Sequence, residues 1–165
     1  MKYIRIGKIV NTHGIKGELR LLSSFKYKDK VFKKDMKLYV GKDKEMVIIN
    51  SYRKHKNFDM ITLKGYDNIN QVLKYKGMYA FINRVDLVLG NDEYFDEDII
   101  GLDVYMDKVY RGKVISIDKY PSSDMLVVFN NDKKYLVPYV KDFIFSIDIE
   151  NKIINLKKID GLFDI

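Results

Sequence analysis

Alanine appears once in this chain of 165 residues, at Ala80, against 20 isoleucines and 14 valines. Alanine is the best helix former, whereas β-branched side chains lose rotamer freedom in a helix and pack well on a pleated, half-buried surface. The chain is therefore expected to be mostly β. Apolar runs at residues 3–10, 18–22, 38–40, 46–52, 59–63 and 78–82 fit that reading, each bounded by the Gly, Asn, Asp or Lys clusters that separate strands. Ile115 and Ile117 are expected on one face of a strand, with Ser116 and Asp118 on the other. The run 125–129 has no polar residue and predicts a strand buried on both sides, as in a small closed barrel. One segment departs from the pattern. Between Asn68 and Gly77, the residues Ile69, Val72 and Leu73 recur at helical spacing, with Asn68 or Asn70 as N-cap and Gly77 as stop, which predicts a short helix.

A chain of this length suits one domain or two small ones of about 80 residues each. Residues 83–92 mix charge, turn formers and Gly90. The expected organisation is thus two small β-barrels, residues 1–84 and 93–165, with 85–92 as linker; a single larger barrel is the alternative. No stretch free of Asp, Glu, Lys and Arg exceeds seven residues, far short of the roughly 20 apolar residues that span a bilayer, so no membrane partner is expected. Lys2 and Arg5 are not followed by the apolar core of an export signal, and the absence of Cys removes disulfides and thiolate chemistry. A cytoplasmic location is expected. The net charge of +7 hides an asymmetry. Up to Gly90 there are 20 basic and 8 acidic residues, net +12, and beyond it 10 basic and 15 acidic, net −5. Part of the excess is a composition bias toward Lys, yet a sign change of this size suggests an anionic partner for the first half and a different partner for the second.

Catalytic signals are missing. His13 and His55 each lack the second histidine at i+2, i+3 or i+4 that completes a zinc-binding pair, and no Walker sequence, H-E-x-x-H or G-x-S-x-G is present. His13 reads as a turn residue between strands, with Gly14 and Gly17 supplying positive φ. The acidic run 92–98 lacks the spacing of a calcium loop. No catalytic residue, metal or cofactor is expected. Binding is better supported. Lys26, Lys28, Lys30, Lys33, Lys34 and Lys37 are interleaved with Phe25, Tyr27 and Phe32, and Arg53, Lys54, His55 and Lys56 sit at what reads as a hairpin tip. Such cations neutralise phosphates and such rings stack on exposed bases, whereas the bland reading is a solvated loop anchored by its aromatics. In the acidic half, Tyr94 and Phe95 are adjacent rings among carboxylates, including Asp98. That arrangement suits docking of a basic protein, and interdomain packing of both rings is the alternative.

The run Ile6-Gly7-Lys8-Ile9-Val10-Asn11-Thr12-His13-Gly14-Ile15-Lys16-Gly17-Glu18-Leu19-Arg20 resembles the opening of the RimM family of bacterial ribosome maturation factors. Further similarities follow in the family's order: 65–77 as its short helical segment, Glu93-Tyr94-Phe95 followed by Asp98-Ile99-Ile100-Gly101-Leu102, Gly112-Lys113-Val114, Leu136-Val137-Pro138-Tyr139-Val140, and Asp160-Gly161-Leu162-Phe163. The resemblance implies an N-terminal barrel like that of elongation factors and a C-terminal PRC barrel. It also implies a non-enzymatic role in maturing the head of the small ribosomal subunit, by acting on the 3′ domain of its rRNA and binding its nineteenth protein. The partners so implied are a small-subunit precursor, rRNA and that protein, met by a monomer. Lys16, Arg20, Lys30, Lys33, Lys34, Arg53, Lys54 and Lys56 are the RNA-binding candidates. Tyr94, Phe95 and Asp98 are the protein-binding candidates. Phe95 stands where the family usually has a second Tyr, and Asp96 where a large aromatic or His often follows, so a hydroxyl is missing there. A general RNA-binding translation accessory protein, or a β-barrel enzyme, are the competing classes.

Overall fold

The β-branched runs become twelve strands among the residues that a computed structural model describes, 2–164. The chain divides into two compact units, residues 1–88 and 89–165, and the change at 88/89 moves no charged residue relative to Gly90. The single larger barrel is not what this chain builds.

In the first unit, β1 (Tyr3–His13), β2 (Glu18–Leu22), β3 (Lys37–Val40), β4 (Glu45–His55), β5 (Phe58–Leu63) and β6 (Tyr79–Asn83) close into a barrel in the order β1-β2-β5-β4-β3-β6. Every pairing is antiparallel. Alternate residues point inward and are buried: Leu19 and Leu21, Leu38 and Val40, Val47 and Ile49, Ile61 and Leu63, Ala80 and Ile82. Closing so few strands demands strong coiling. The long strand β1 supplies it with irregularities at 9–11 against β2 and at 5–7 against β6. The lone alanine lies opposite Gly7 at the second of these, where the two strands approach with little side-chain volume between them.

The predicted helix is present as α2 (Ile69–Val72), extended by a 3-10 turn through Tyr75. Asn68 is its cap, accepting from the backbone N–H of Asn70, with Gln71 reaching back to the N–H of Asn68. The Ile69 N–H donates to the Ile15 carbonyl at 2.9 Å, so the helix start is tied to the β1–β2 turn. Gly17 lies at that join with φ 88°, and a Cβ there would meet the Asn68 carbonyl oxygen at 3.2 Å. Any side chain at position 17 is strained.

One buried charge organises this unit. Asp59 on β5 has no exposed surface, and an isolated carboxylate in such a place costs several kcal/mol. The Tyr52 hydroxyl on β4 donates to its Oδ1 at 2.7 Å, and the Lys54 ammonium is 3.9 Å from the same oxygen. Lys28, in the single helical turn α1 (Lys28–Val31), brings its ammonium to 2.8 Å from Oδ2, close enough to neutralise it but off the hydrogen-bonding direction. Burial, and then the Asp59 hydrogen bond, push the Tyr52 hydroxyl up to about 12.

In the second unit α3 (Asp96–Ile99) precedes β7 (Asp103–Met106), β8 (Val109–Lys119), β9 (Asp124–Asn130), β10 (Lys133–Pro138), β11 (Ile144–Asp148) and β12 (Ile153–Leu156). The strand order is β10-β9-β8-β7-β12-β11, with β7 and β12 parallel. Its ladder leaves β10 and β11 as edges. Even so, Val137 of β10 and Ile144 and Ile147 of β11 pack on one core with Val104, Val114, Leu126, Val128 and Ile154, so the sheet wraps around a single interior. The run 125–129 is a central strand whose middle residues Leu126, Val127 and Val128 are buried, while Phe129 is exposed. The expected pairing of Ile115 with Ile117 on one face is corrected. The β8–β9 register shifts between Val114 and Ser116, and this bulge turns Ile115 outward while Val114 and Ile117 pack on the core.

Replacing Asp59 by Ala leaves the Tyr52 hydroxyl without its acceptor and the Lys28 ammonium without its counter-charge. The expected loss is about 1–3 kcal/mol of stability, read as a lower urea midpoint with an unchanged slope. Tyr52 gives a second test, because its raised value means that its contribution is complete below the ordinary tyrosine value of about 10. The contribution is lost as pH rises through about 12, and Tyr52→Phe should remove that alkaline limb from the wild-type stability profile.

Candidate functional site

The Lys-rich segment 26–37 is anchored by its rings. Tyr27 and Phe32 are buried, Phe32 stacks on Tyr52 at 5.8 Å with planes 9° apart, and Phe25 meets Tyr27 edge-on at 5.9 Å. Tyr27 and Phe32 thus follow the reading of rings that anchor the segment to the core rather than faces offered to bases, while Phe25 is half-exposed. The cations behave differently. α1 turns its Val31 inward, and Lys33 and Lys34 follow it, exposed and without an ion-pair partner among the described residues. Lys30 is half-buried and donates to the Val88 carbonyl at 3.4 Å.

The second group of candidates comes together across β1, β2, β5 and β4. Arg53 donates two hydrogen bonds to Glu18, Nε to Oε2 at 2.9 Å and Nη2 to Oε1 at 2.7 Å. These bonds, helped by the nearby charges of Arg53, His13 and His55, hold the Glu18 carboxyl below its usual range against the opposing effect of burial. Arg53 is therefore a cation already answered by a carboxylate, and Lys54 lies near Asp59. Arg20 is not so answered. Its guanidinium lies 5.0 Å from the Phe58 ring centre and donates from Nη2 to His13 Nδ1 at 2.8 Å. The rings of His13 and His55 are 5.7 Å apart. Gly14 and Gly17 do take the positive φ read for the turn after His13, and Lys16 in that turn is exposed, as is Lys56 at the β4–β5 tip. Desolvation first, and then the charges of Arg53, Lys56, His13 and Arg20, pull His55 below its ordinary value.

In the second unit the two aromatic candidates part. Phe95, the N-cap of α3, keeps 4% of its surface exposed, so its ring is turned inward. Tyr94 packs on the core and retains partial exposure, and Asp98 is half-exposed. Lys119 fixes α3 to the β8–β9 hairpin by hydrogen bonds to Asp96 Oδ2 at 2.6 Å and Asp124 Oδ2 at 2.9 Å. Burial lowers the Lys119 value, and these two carboxylates more than reverse that. Among the described residues no group of three His, Cys, Asp or Glu side chains is placed to hold a metal, and no helix is long and apolar enough to cross a membrane.

Sequence reasoning missed Asp59 and the meeting of the two histidines. The first had a signal, since Asp59 shares the alternate positions of β5 with Ile61 and Leu63, an acid on the apolar face. The second joins residues 42 positions apart through the barrel order, and no local pattern encodes it.

The family model described as the RimM N-terminal domain matches residues 4–87, and the one described as the RimM PRC barrel domain matches residues 96–162. A protein of Staphylococcus haemolyticus named ribosome maturation factor RimM is 40% identical over 166 residues, covering 98% of this chain and 99% of that protein. Its namesakes from Streptococcus suis and Finegoldia magna are 39% and 34% identical, over 99% and 98% of this chain and 99% and 100% of theirs. Among solved structures, a RimM of Pseudomonas aeruginosa is 21% identical with a TM-score of 0.44, over 96% of this chain and 98% of that one. The N-terminal domain of RimM from Thermus thermophilus is 16% identical with a TM-score of 0.46, over 54% of this chain and 98% of that domain.

The lowered Glu18 carboxyl stabilises the fold above the ordinary glutamate value of about 4.3, and that contribution is lost as pH falls through its lower folded value. Glu18→Gln should accordingly show a shallower fall in unfolding midpoint below about pH 5 than the wild type.

Proposed function

The chain belongs to the RimM family, and from that premise we propose that it assists maturation of the small ribosomal subunit as a non-enzymatic assembly factor. In this reading residues 1–84 bind the 3′ domain of the small-subunit rRNA and residues 93–165 bind the nineteenth protein of the subunit head, with 85–92 joining them. The observation that carries the reading is the charge step of +12 to −5 along the chain. Within the first unit, Lys16, Lys33, Lys34 and Lys56 are exposed and lack a carboxylate partner among the described residues, so they are available to phosphates. Arg20, Lys30, Arg53 and Lys54 complete the basic surface, the last two with part of their charge already offset by Glu18 and Asp59.

On the acidic unit, the partly open Tyr94 ring and the half-exposed Asp98 are the surface candidates, and Phe95 is buried. Ribosomal proteins are basic, and charge complementarity with a net −5 surface speeds their encounter. No bond is made or broken. The protein acts as a monomer in the cytoplasm on an immature subunit, and binding the mature-like arrangement of the head better than misfolded alternatives shifts the population by that differential affinity.

Replacing Lys30, Lys33 and Lys34 by Glu should flatten the dependence of rRNA binding on salt, by about 0.7 in the logarithmic slope for each phosphate that is no longer neutralised. An unchanged slope excludes these three residues. Tyr94→Ala with Asp98→Lys should weaken binding to the head protein and leave RNA affinity within about twofold. An equal loss of both with the fold intact contradicts the division between units.

A further inference from the structure

We propose that the outer surface shared by β1, β2, β5 and β4, where His13, Arg20 and His55 meet, is a phosphate-binding site that takes up a proton as it captures a phosphodiester of the RNA. The identity of the ligand rests on the RNA-binding reading above, and the site itself rests on side-chain geometry.

A guanidinium only donates, so in the hydrogen bond of 2.8 Å between Arg20 Nη2 and His13 the imidazole Nδ1 must accept, which assigns the neutral ring. Arg20 has little else. Its Nε is buried with no hydrogen-bond partner, its other contact is the Phe58 ring, and no carboxylate of the described residues pairs with it. The carboxylate on this surface, Glu18, has both oxygens occupied by Arg53. The surface is therefore rich in donors and short of acceptors. A tetrahedral oxyanion corrects that imbalance, and a guanidinium beside imidazoles is suited to bind it.

Proton uptake follows from the same geometry. Once His13 carries a proton on Nδ1, it and Arg20 point donors at one another. An oxygen acceptor between them relieves the conflict and satisfies both. The groups that face the pair are Glu18 and Arg20 from β2, Arg53 from β4 and Lys56 from the β4–β5 turn, cationic on balance, and after burial, the larger cause, the cations among them disfavour a charged His55 in the free protein. A bound phosphate reverses that balance. Because binding takes up protons, affinity rises as pH falls, by at most about tenfold per pH unit for each proton.

The chain has two histidines, so its imidazole NMR signals are assigned with His55→Gln alone. The full chain is titrated with inorganic pyrophosphate and, separately, with a single-stranded RNA from the small-subunit 3′ domain. Both probes should shift both imidazoles and move the His55 titration midpoint upward. RNA affinity should rise roughly three- to tenfold from about pH 8 to about pH 6, and the ratio should fall to near one in His13→Gln/His55→Gln. Glutamine keeps an acceptor for Arg20, and if the double variant is unstable, each single variant should still reduce the ratio. Imidazoles unmoved by both probes, or an unchanged pH ratio in the variants, overturn the proposal. RNA binding without imidazole movement overturns the site and leaves the RNA reading standing. Movement with pyrophosphate and no RNA binding at any pH supports the site and overturns the RNA reading.

Discussion

A carboxylate with no access to water sets the arrangement of the first unit. Asp59 is accommodated inside the barrel wall because Tyr52 donates to one oxygen and Lys28 stands beside the other. That requirement fixes α1 against β4 and β5, since Lys28 belongs to α1. It also fixes Tyr52, on which Phe32 stacks. With Lys28 and Phe32 held, Lys33 and Lys34 emerge in solvent before Met36 turns inward again. A buried anion thus positions a pair of exposed cations.

Electrostatics in this unit separates into answered and unanswered cations. Arg53, Lys28, Lys64 and Lys74 have carboxylates within ion-pair distance, and apart from Lys28 with the buried Asp59 such exposed or half-exposed pairs add little to stability. Lys16, Arg20, Lys33, Lys34 and Lys56 have none among the described residues. In the acidic unit the opposite sign prevails, and Lys119 uses its charge on Asp96 and Asp124 to hold α3 in place. In the proposed function the basic unit meets RNA and the acidic unit meets a basic protein.

Much of the fold was legible because it depends on local pattern. The β-branched runs became strands, and the residues of the Asn68 segment formed a capping box with its own short helix. The Ile115 face failed because a bulge inserts one residue, and nothing in Val114-Ile115-Ser116 marks where the partner strand will slip. The 26–37 segment was half legible. Lys26, Lys33, Lys34 and Lys37 are exposed, but the same string does not reveal that Tyr27 and Phe32 turn into the core, because that goes with Lys28 reaching Asp59. Which of Tyr94 and Phe95 turns inward was not legible, because adjacent side chains of an extended segment point to opposite faces without marking which face is buried.

The central claim is that the unanswered cations of residues 1–88 are the RNA surface. Lysine-reactive footprinting of the full chain, with and without small-subunit 3′-domain rRNA, tests it most directly, since both units carry lysines. The account predicts protection of Lys16, Lys33, Lys34 and Lys56, with Lys133, Lys134, Lys157 and Lys158 as reactive in the complex as in the free protein. Protection confined to residues 89–165 would contradict it.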